Sequence, residues 1–378
     1  MSGAKRALKV VIAAGGSGGH IFPAIALGRT LKGVGRDVDL LFIGSDKALD
    51  RRLFEKEGVR FALLSANKLP YSPSPRLAVF FAKLLFDTVR SFFIILRYRP
   101  DAVIGFGGYV SFPVIAASYA LRIPKVVHEQ NVVPGRANKA LFGLADKVAV
   151  SFEDTKKFLG NNAAKAVLTG NPIRAEIFID DRTGGIRRFG LDIDKFTILV
   201  IGGSQGAHAL NKTFIDALLA MERKAKEGFQ VIHITGVKDY EWALKAYEEA
   251  EIDHRVHSFI DRIEEAYAAS DLVVTRSGAS ALFELAFLGR PMILVPYPFA
   301  MSHQAENAAA FSDNGAAVIL HEKALSADLF KETISALAGD RDRLKSLGAS
   351  ARRLSIPDAS EILAKMICAM TEENRARC

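Results

Sequence analysis

The chain has 378 residues, 49% of them apolar and 24% charged, which suits a folded protein long enough for two domains. Its formal charge of +8 favours anionic partners such as nucleotides, phosphates or an anionic membrane surface, and no Lys/Arg block or nucleic-acid motif accompanies that charge. Two cysteines, Cys368 and Cys378, exclude a disulfide framework and a cysteine metal site and suit a reducing cytoplasm.

Lys5, Arg6 and Lys9 precede a short apolar run, but that run passes directly into glycines, so a first strand over residues 8–14 is expected rather than a leader peptide. No uncharged apolar run approaches the ~20 residues of a spanning helix. Gly15-Gly16-Ser17-Gly18-Gly19-His20 follows the strand, and a helix follows over 21–31. The glycines let backbone approach a ligand closely. The run is not the dinucleotide fingerprint, because Ile21 stands where the third glycine belongs. Nor is it a P-loop, because no Gly-Lys-Ser/Thr follows. His20, at the loop–helix junction, reads equally as a capping or packing residue and as a catalytic base.

A second strand covers 38–43, and a proline-rich loop covers 69–75. Residues 76–99 hold no Pro or Gly and read as one long helix. Leu77, Phe81, Leu84, Leu85, Phe92, Ile95 and Leu96 share a stripe on it, the expected core face. Val79, Lys83, Phe86, Arg90, Phe93 and Arg97 lie on roughly the opposite face. Aromatics interleaved with cations suit an anionic bilayer surface. The alternative is a helix buried on both sides, with its cations reaching out to water.

Strand 101–104 leads into Gly105-Phe106-Gly107-Gly108-Tyr109, and strand 124–128 ends in His128-Glu129-Gln130-Asn131. Polar residues at the C-terminal end of a buried strand point into the ligand crevice of an open α/β sheet; the plainer reading is the start of a polar loop. After a strand at 147–151, Gly170-Asn171-Pro172-Ile173-Arg174 reads as a linker. Strand 196–201 then opens a second series with Gly202-Gly203-Ser204-Gln205-Gly206-Ala207, followed by strands at 231–235 and 256–259. Strand 272–275 turns through Ser277-Gly278 into a helix over 279–288. Its free N–H groups and positive dipole end suit a phosphate. Glu284, about one and a half turns in, can accept two hydrogen bonds from a ribose diol, or can simply face solvent. Gln304 and Asn307 fall near the start of a later helix, a last strand covers 316–320, and helices cover 324–338 and 357–371.

Three pieces recur in the same order in the two halves. The run from Val11 to Ser17 matches the run from Leu199 to Ser204. Asp101-Ala102-Val103-Ile104 matches Asp271-Leu272-Val273-Val274, and Ile123-Pro124-Lys125-Val126-Val127 matches Arg290-Pro291-Met292-Ile293-Leu294. Strand–helix alternation with a glycine after several strands argues two parallel α/β domains facing each other across a cleft.

The joint motif set, from Gly15–His20 through Gly107-Gly108-Tyr109-Val110-Ser111, His128–Asn131, Gly170–Arg174 and Gly202–Ala207 to Arg276-Ser277-Gly278-Ala279, resembles the MurG family of peptidoglycan N-acetylglucosaminyltransferases from about residue 8 to about 365. The resemblance implies a GT-B fold with a membrane-associated acceptor domain over 1–170, onto which a C-terminal helix of about 357–378 packs back, and a donor domain over 171–356. It implies inverting transfer of N-acetylglucosamine from UDP-N-acetylglucosamine to the muramoyl 4-hydroxyl of lipid I, giving lipid II at the cytoplasmic face of the cell membrane. Ser17, Gly18, Gly19 and Asn131 match donor-contacting positions of the first half. Arg174, Ser204, Ile260, Ala279, Ser280, Ala281, Leu282, Phe283, Glu284 and Gln304 match the C-terminal donor site, with Ile260 assigned to uracil, Glu284 to ribose and Gln304 to the sugar. Ala281 departs from relatives that carry a hydroxyl there, so Ser280 substitutes or one phosphate contact is missing. Ile263 replaces a common Met.

The expected chemistry is a single displacement, with growing diphosphate charge met by the helix start at 278–280 and by Arg174. No Asp-x-Asp motif is placed to hold a metal, and no cofactor is expected. His20, with an ordinary pKa of ~6.5, and Glu129 compete for the role of general base. A UDP-sugar epimerase of the same fold and a non-catalytic nucleotide-sugar sensor are the alternatives.

Overall fold

The computed structural model describes residues 6–33, 35, 37–66, 75–202, 206–298 and 303–377. The chain divides into two compact units, Met1–Arg174 with Ile356–Cys378, and Ala175–Ser355.

The first unit runs β1 (Leu8–Ala13), α1 (Gly18–Lys32), β2 (Val38–Ser45), α2 (Ala48–Lys56), β3 (Phe61–Leu64), α3 (Pro75–Tyr98), β4 (Ala102–Gly105), α4 (Gly108–Ala120), β5 (Lys125–Glu129), α5 (Arg136–Leu141), β6 (Lys147–Val150) and β7 (Ala166–Leu168). The second runs α6 (Arg182–Phe189), β8 (Phe196–Ile201), α7 (His208–Leu219), α8 (Arg223–Lys226), β9 (Phe229–Ile234), α9 (Tyr240–Ala250), β10 (Asp253–His257), α10 (Ile263–Ala269), β11 (Leu272–Thr275), α11 (Ala279–Leu288), β12 (Met292–Leu294), α12 (His303–Ser312), β13 (Val318–Ile319), α13 (Ala327–Ala338) and α14 (Arg341–Leu354). The last helix, α15 (Ala359–Arg377), returns to the first unit.

Among the described residues, each unit holds one parallel sheet. The orders are β3-β2-β1-β4-β5-β6-β7 and β10-β9-β8-β11-β12-β13. A parallel sheet is covered on both faces, so its strands are apolar throughout rather than alternating. Val10 and Ile12 of β1 face Ile21 and Leu27 of α1 and Leu363 and Ile367 of α15. Val11 and Ala13 of the same strand face Val114 and Ile115 of α4 and Ile95 of α3. In the second unit Ile198 and Val200 pack with Leu210 and Phe214 of α7 and Phe330 of α13. Each such side chain contributes roughly 1.5–3 kcal/mol by burial. In both sheets the strand order reverses once, between β1 and β4 and between β8 and β11. Open α/β sheets bind ligands at the C-terminal strand ends at such points.

One expectation about α3 fails. Phe81, Leu85 and Leu96 belong to the expected core stripe, yet they are 56%, 66% and 46% exposed. The buried line is Phe80, Asp87, Ser91 and Ile95. Two contacts set this rotation. The Asp87 carboxylate accepts from the Ser65 amide and hydroxyl and from the Ala66 amide, at 2.7–3.1 Å. The Phe80 ring packs edge-on against Tyr109 of α4. A carboxylate that satisfies a neighbouring turn holds this face inward, and the apolar stripe alone does not decide it.

Candidate active site

In the first unit Ala13 of β1 is in register with Gly105 of β4, so the glycine turns after these strands start side by side. Gly16 has φ +86°, and its amide donates to Asp50, a fully buried carboxylate that also accepts from the Ser45 amide and hydroxyl. Asp50 thus ties the first glycine turn to the end of β2. Sequence reasoning missed it, and its only signal was an acid shortly after a strand end.

Ser17 is the residue before α1, and His20 sits in its first turn. His20 Nδ1 lies 3.2 Å from the Gly15 carbonyl and 3.3 Å from Ser17 Oγ. A carbonyl only accepts, so the network assigns the hydrogen to Nδ1 and leaves the Nε2 lone pair unprotonated. The ring keeps some exposure, while the protein crowded around it lowers its pKa below the usual value. The Gly15 bond and the charges of Glu129 and Asp50 oppose that shift. His20 is therefore neutral at pH 7, with Nε2 able to take a proton. Gly107, at φ +96°, lies against the ring: a Cβ there would stand 3.3 Å from Nε2.

Glu129, at the end of β5, is 1% exposed. Oε1 accepts from the amide and side chain of Asn131 at 2.9 and 3.1 Å. Oε2 accepts from the Gly135 amide at 3.1 Å and Asn138 Nδ2 at 2.8 Å. Four donors bind the ionised form and fix Asn131 in place. His128 beside it donates from Nε2 to the Gly170 carbonyl and accepts from Gln130 Nε2; burial pushes its pKa down to about 4. Arg174, expected in the second half, belongs to this unit, with its guanidinium 4.6 Å over the Phe22 ring of α1.

In the second unit β11 pairs with β8 and β12, and α11 starts at its C-terminal end. Arg276 turns inward, donating to the Val295 carbonyl and pairing with Glu322. Ser277 Oγ donates to the Gln304 carbonyl at 2.7 Å, and Gln304 Oε1 accepts from the Tyr297 amide at 3.0 Å. The starts of α11 and α12 are thereby joined. Ala279, Ser280 and Ala281 form the first turn of α11, at the positive end of its dipole. Glu284 is 5% exposed and accepts from Tyr267 Oη at 3.2 Å, so it does not lie on a solvated face. Ile260 follows β10, at the edge of the sheet.

Two of the expected contact residues have their side chains in the core. Leu282 is fully buried and its amide is already bonded to the Gly278 carbonyl, while Phe283 packs edge-on against Phe311 in the core. Ser204 lies outside the described residues. Cavities of about 630 and 560 Å³ open elsewhere, at the N-terminal strand ends around Lys125 and Asp271. Those two residues are paired, with Asp146 and Arg182 respectively.

Residues 10–150 match the model of the glycosyltransferase family 28 N-terminal domain, and residues 197–363 match that of the glycosyltransferase family 28 C-terminal domain. A relative from Geobacter sulfurreducens, named UDP-N-acetylglucosamine–N-acetylmuramyl-(pentapeptide) pyrophosphoryl-undecaprenol N-acetylglucosamine transferase, is 36% identical over 97% of this chain and 100% of its own. A relative of the same name from Halothermothrix orenii is 36% identical over 95% and 98%. Among solved structures, the crystal structure of Acinetobacter baumannii MurG aligns with a TM-score of 0.74 at 26% identity, covering 96% of this chain and 100% of that one. A Neisseria meningitidis UDP-N-acetylglucosamine 2-epimerase aligns at 0.66 with 13% identity over 96% and 100%, which is a likeness of fold alone. The fold is that of the GT-B glycosyltransferases. With two domain models matched in order and relatives of the same layout over nearly its whole length, the chain belongs to glycosyltransferase family 28.

Proposed function

We propose that this chain transfers N-acetylglucosamine from UDP-N-acetylglucosamine to the muramoyl sugar of lipid I, forming lipid II with inversion. The observation that carries this reading is the 36% identity, end to end, with transferases named for that reaction. The first unit supplies the base. The acceptor 4-hydroxyl gives its proton to His20 Nε2 as its oxygen bonds to the anomeric carbon, and the bond from that carbon to the diphosphate breaks. Glu129 is the lesser candidate, because both its oxygens already hold donors; it orients Asn131 and Asn138 and favours the imidazolium that forms.

The second unit holds the nucleotide sugar. N–H groups at the start of α11 meet the diphosphate, Glu284 takes the ribose diol, and Gln304 the sugar. Ile260 presents backbone amides to uracil, Ser204 contributes to the same site, and Arg174 adds positive charge for the leaving group. Ser17, Gly18, Gly19 and Asn131 complete the donor contacts from the first unit.

No helix among the described residues is long and apolar enough to cross a membrane. A peripheral position on an anionic inner membrane surface is supported by α3, where Val79, Phe81, Leu85, Phe86 and Phe93 are 55–66% exposed and Lys83 and Arg90 stand among them. The direct test of function is an assay of purified protein with UDP-N-acetylglucosamine and lipid I. Disaccharide-lipid product supports the reading, and no product in the presence of both substrates removes it.

A further inference from the structure

Gly15 and Gly16 share one peptide unit, and two side chains hold it from opposite ends. Its N–H, the Gly16 amide, donates to the Asp50 carboxylate, at 2.9 Å to Oδ2 and 3.2 Å to Oδ1. Its C=O, the Gly15 carbonyl, accepts from His20 Nδ1 at 3.2 Å. Asp50 is fully buried in the first turn of α2, and its Oδ2 also accepts from the Ser45 amide at 2.8 Å and the Ser45 hydroxyl at 2.6 Å. These bonds pin the carboxylate to the end of β2. Lys47 Nζ donates to the next carbonyl, that of Gly16, at 3.3 Å. The carboxylate sits so close that a Cβ on Gly15 would stand 2.5 Å from Oδ2, so only glycine fits there.

We propose that Asp50 is a positioning residue for the proton transfer, acting on His20 through the Gly15–Gly16 peptide. The inference rests on the reading of His20 as the general base. A carboxylate on the amide side of a peptide makes the carbonyl of that same peptide a better acceptor. The carbonyl in turn keeps the hydrogen on Nδ1 and the lone pair on Nε2. When Nε2 takes the acceptor proton, positive charge spreads over the ring and both hydrogen bonds tighten; no proton leaves either of them. Glu129 of β5 also favours the charged ring, Lys47 opposes it, and His128 is neutral at pH 7. Alone among these groups, Asp50 grips the peptide that the His20 ring is bonded to.

The test is the pH profile of kcat/KM for lipid I in Asp50→Asn, whose amide oxygen can keep all three donors at the Oδ2 position without the charge. The acid limb should move down by roughly half a pH unit and the plateau should fall roughly three- to tenfold, with the KM for UDP-N-acetylglucosamine unchanged. The position of the limb does not depend on the fraction of active enzyme, so partial misfolding cannot imitate the shift. Asp50→Ala, which releases the peptide, should lose more rate than Asp50→Asn. In spectra of protein labelled with 15N-histidine, wild-type His20 should carry its hydrogen on Nδ1 at neutral pH, and Asp50→Ala should mix the two tautomers. A limb that stays in place in Asp50→Asn overturns the proposal. So does wild-type His20 protonated on Nε2, which needs no variant to fold. Transfer undiminished in His20→Ala would instead reject the assignment of the base on which the proposal rests.

Discussion

At the scale of single residues, proton transfer depends on which nitrogen of His20 carries hydrogen. The Gly15 carbonyl fixes Nδ1–H, so removing the ring removes the only proton acceptor assigned to the step. His20→Ala should cut kcat about 10²–10⁴-fold while leaving UDP affinity unchanged, measured by steady-state rates and by calorimetry with UDP. Because burial lowers the His20 pKa, the acid limb of the wild-type kcat/KM profile should lie below pH 6.5. The Glu129 charge opposes that lowering, so Glu129→Gln should move the limb to still lower pH. If Glu129 were the base, the limb would disappear instead. Glu129→Gln also places an amide NH₂ against existing donors, which should destabilise the fold by about 1–3 kcal/mol in denaturant titrations.

At the scale of elements, the segment from Ala279 to Glu284 splits by direction around the α11 helix. Glu284→Ala should raise the KM for UDP-N-acetylglucosamine, and Tyr267→Phe should do so more weakly, because Tyr267 only orients the carboxylate. Leu282→Ala should leave that KM alone and cost about 2–5 kcal/mol of stability, as a fully buried leucine does. The glycine-ended strands, the duplicated order of pieces and the polar cluster at the end of β5 were legible in the sequence, because each is a local pattern. Asp50 and Asn138 were not, since what marks them is hydrogen bonding to residues far off or across a loop. The orientation of α3 was misread for the same reason: Asp87 binds a turn more than twenty residues earlier, and that long-range bond sets the face. The exposed side of α3 makes its own prediction. Changing Phe86, Arg90 and Phe93 together to Ser should abolish sedimentation with anionic liposomes, and unchanged binding would remove that helix from the membrane proposal.

At the scale of the whole molecule, each unit encloses a histidine held neutral by burial: His128, with a pKa of about 4, and His233, with a pKa of about 3, the latter bonded to Tyr247 and Asn211. In the unfolded chain both return to ~6.5. Their folded pKa values are depressed, so below pH 6.5 only the unfolded state takes up these protons. Stability is complete above that pH and falls as pH drops toward 4, by about 1.4 kcal/mol per pH unit for each histidine. Urea titrations at pH 7 and pH 5 read the loss directly, and His233→Gln should reduce the slope.

The two-sheet fold is shared with epimerases that rearrange the same class of donor, so fold alone does not select the reaction. Incubation of the purified chain with UDP-N-acetylglucosamine labelled in the sugar, with and without lipid I, decides it. The label should pass to the lipid in a β-linked disaccharide only when lipid I is present, and His20→Ala should lose that transfer. Appearance of an isomerised sugar nucleotide without acceptor, or transfer undiminished in His20→Ala, would contradict the account.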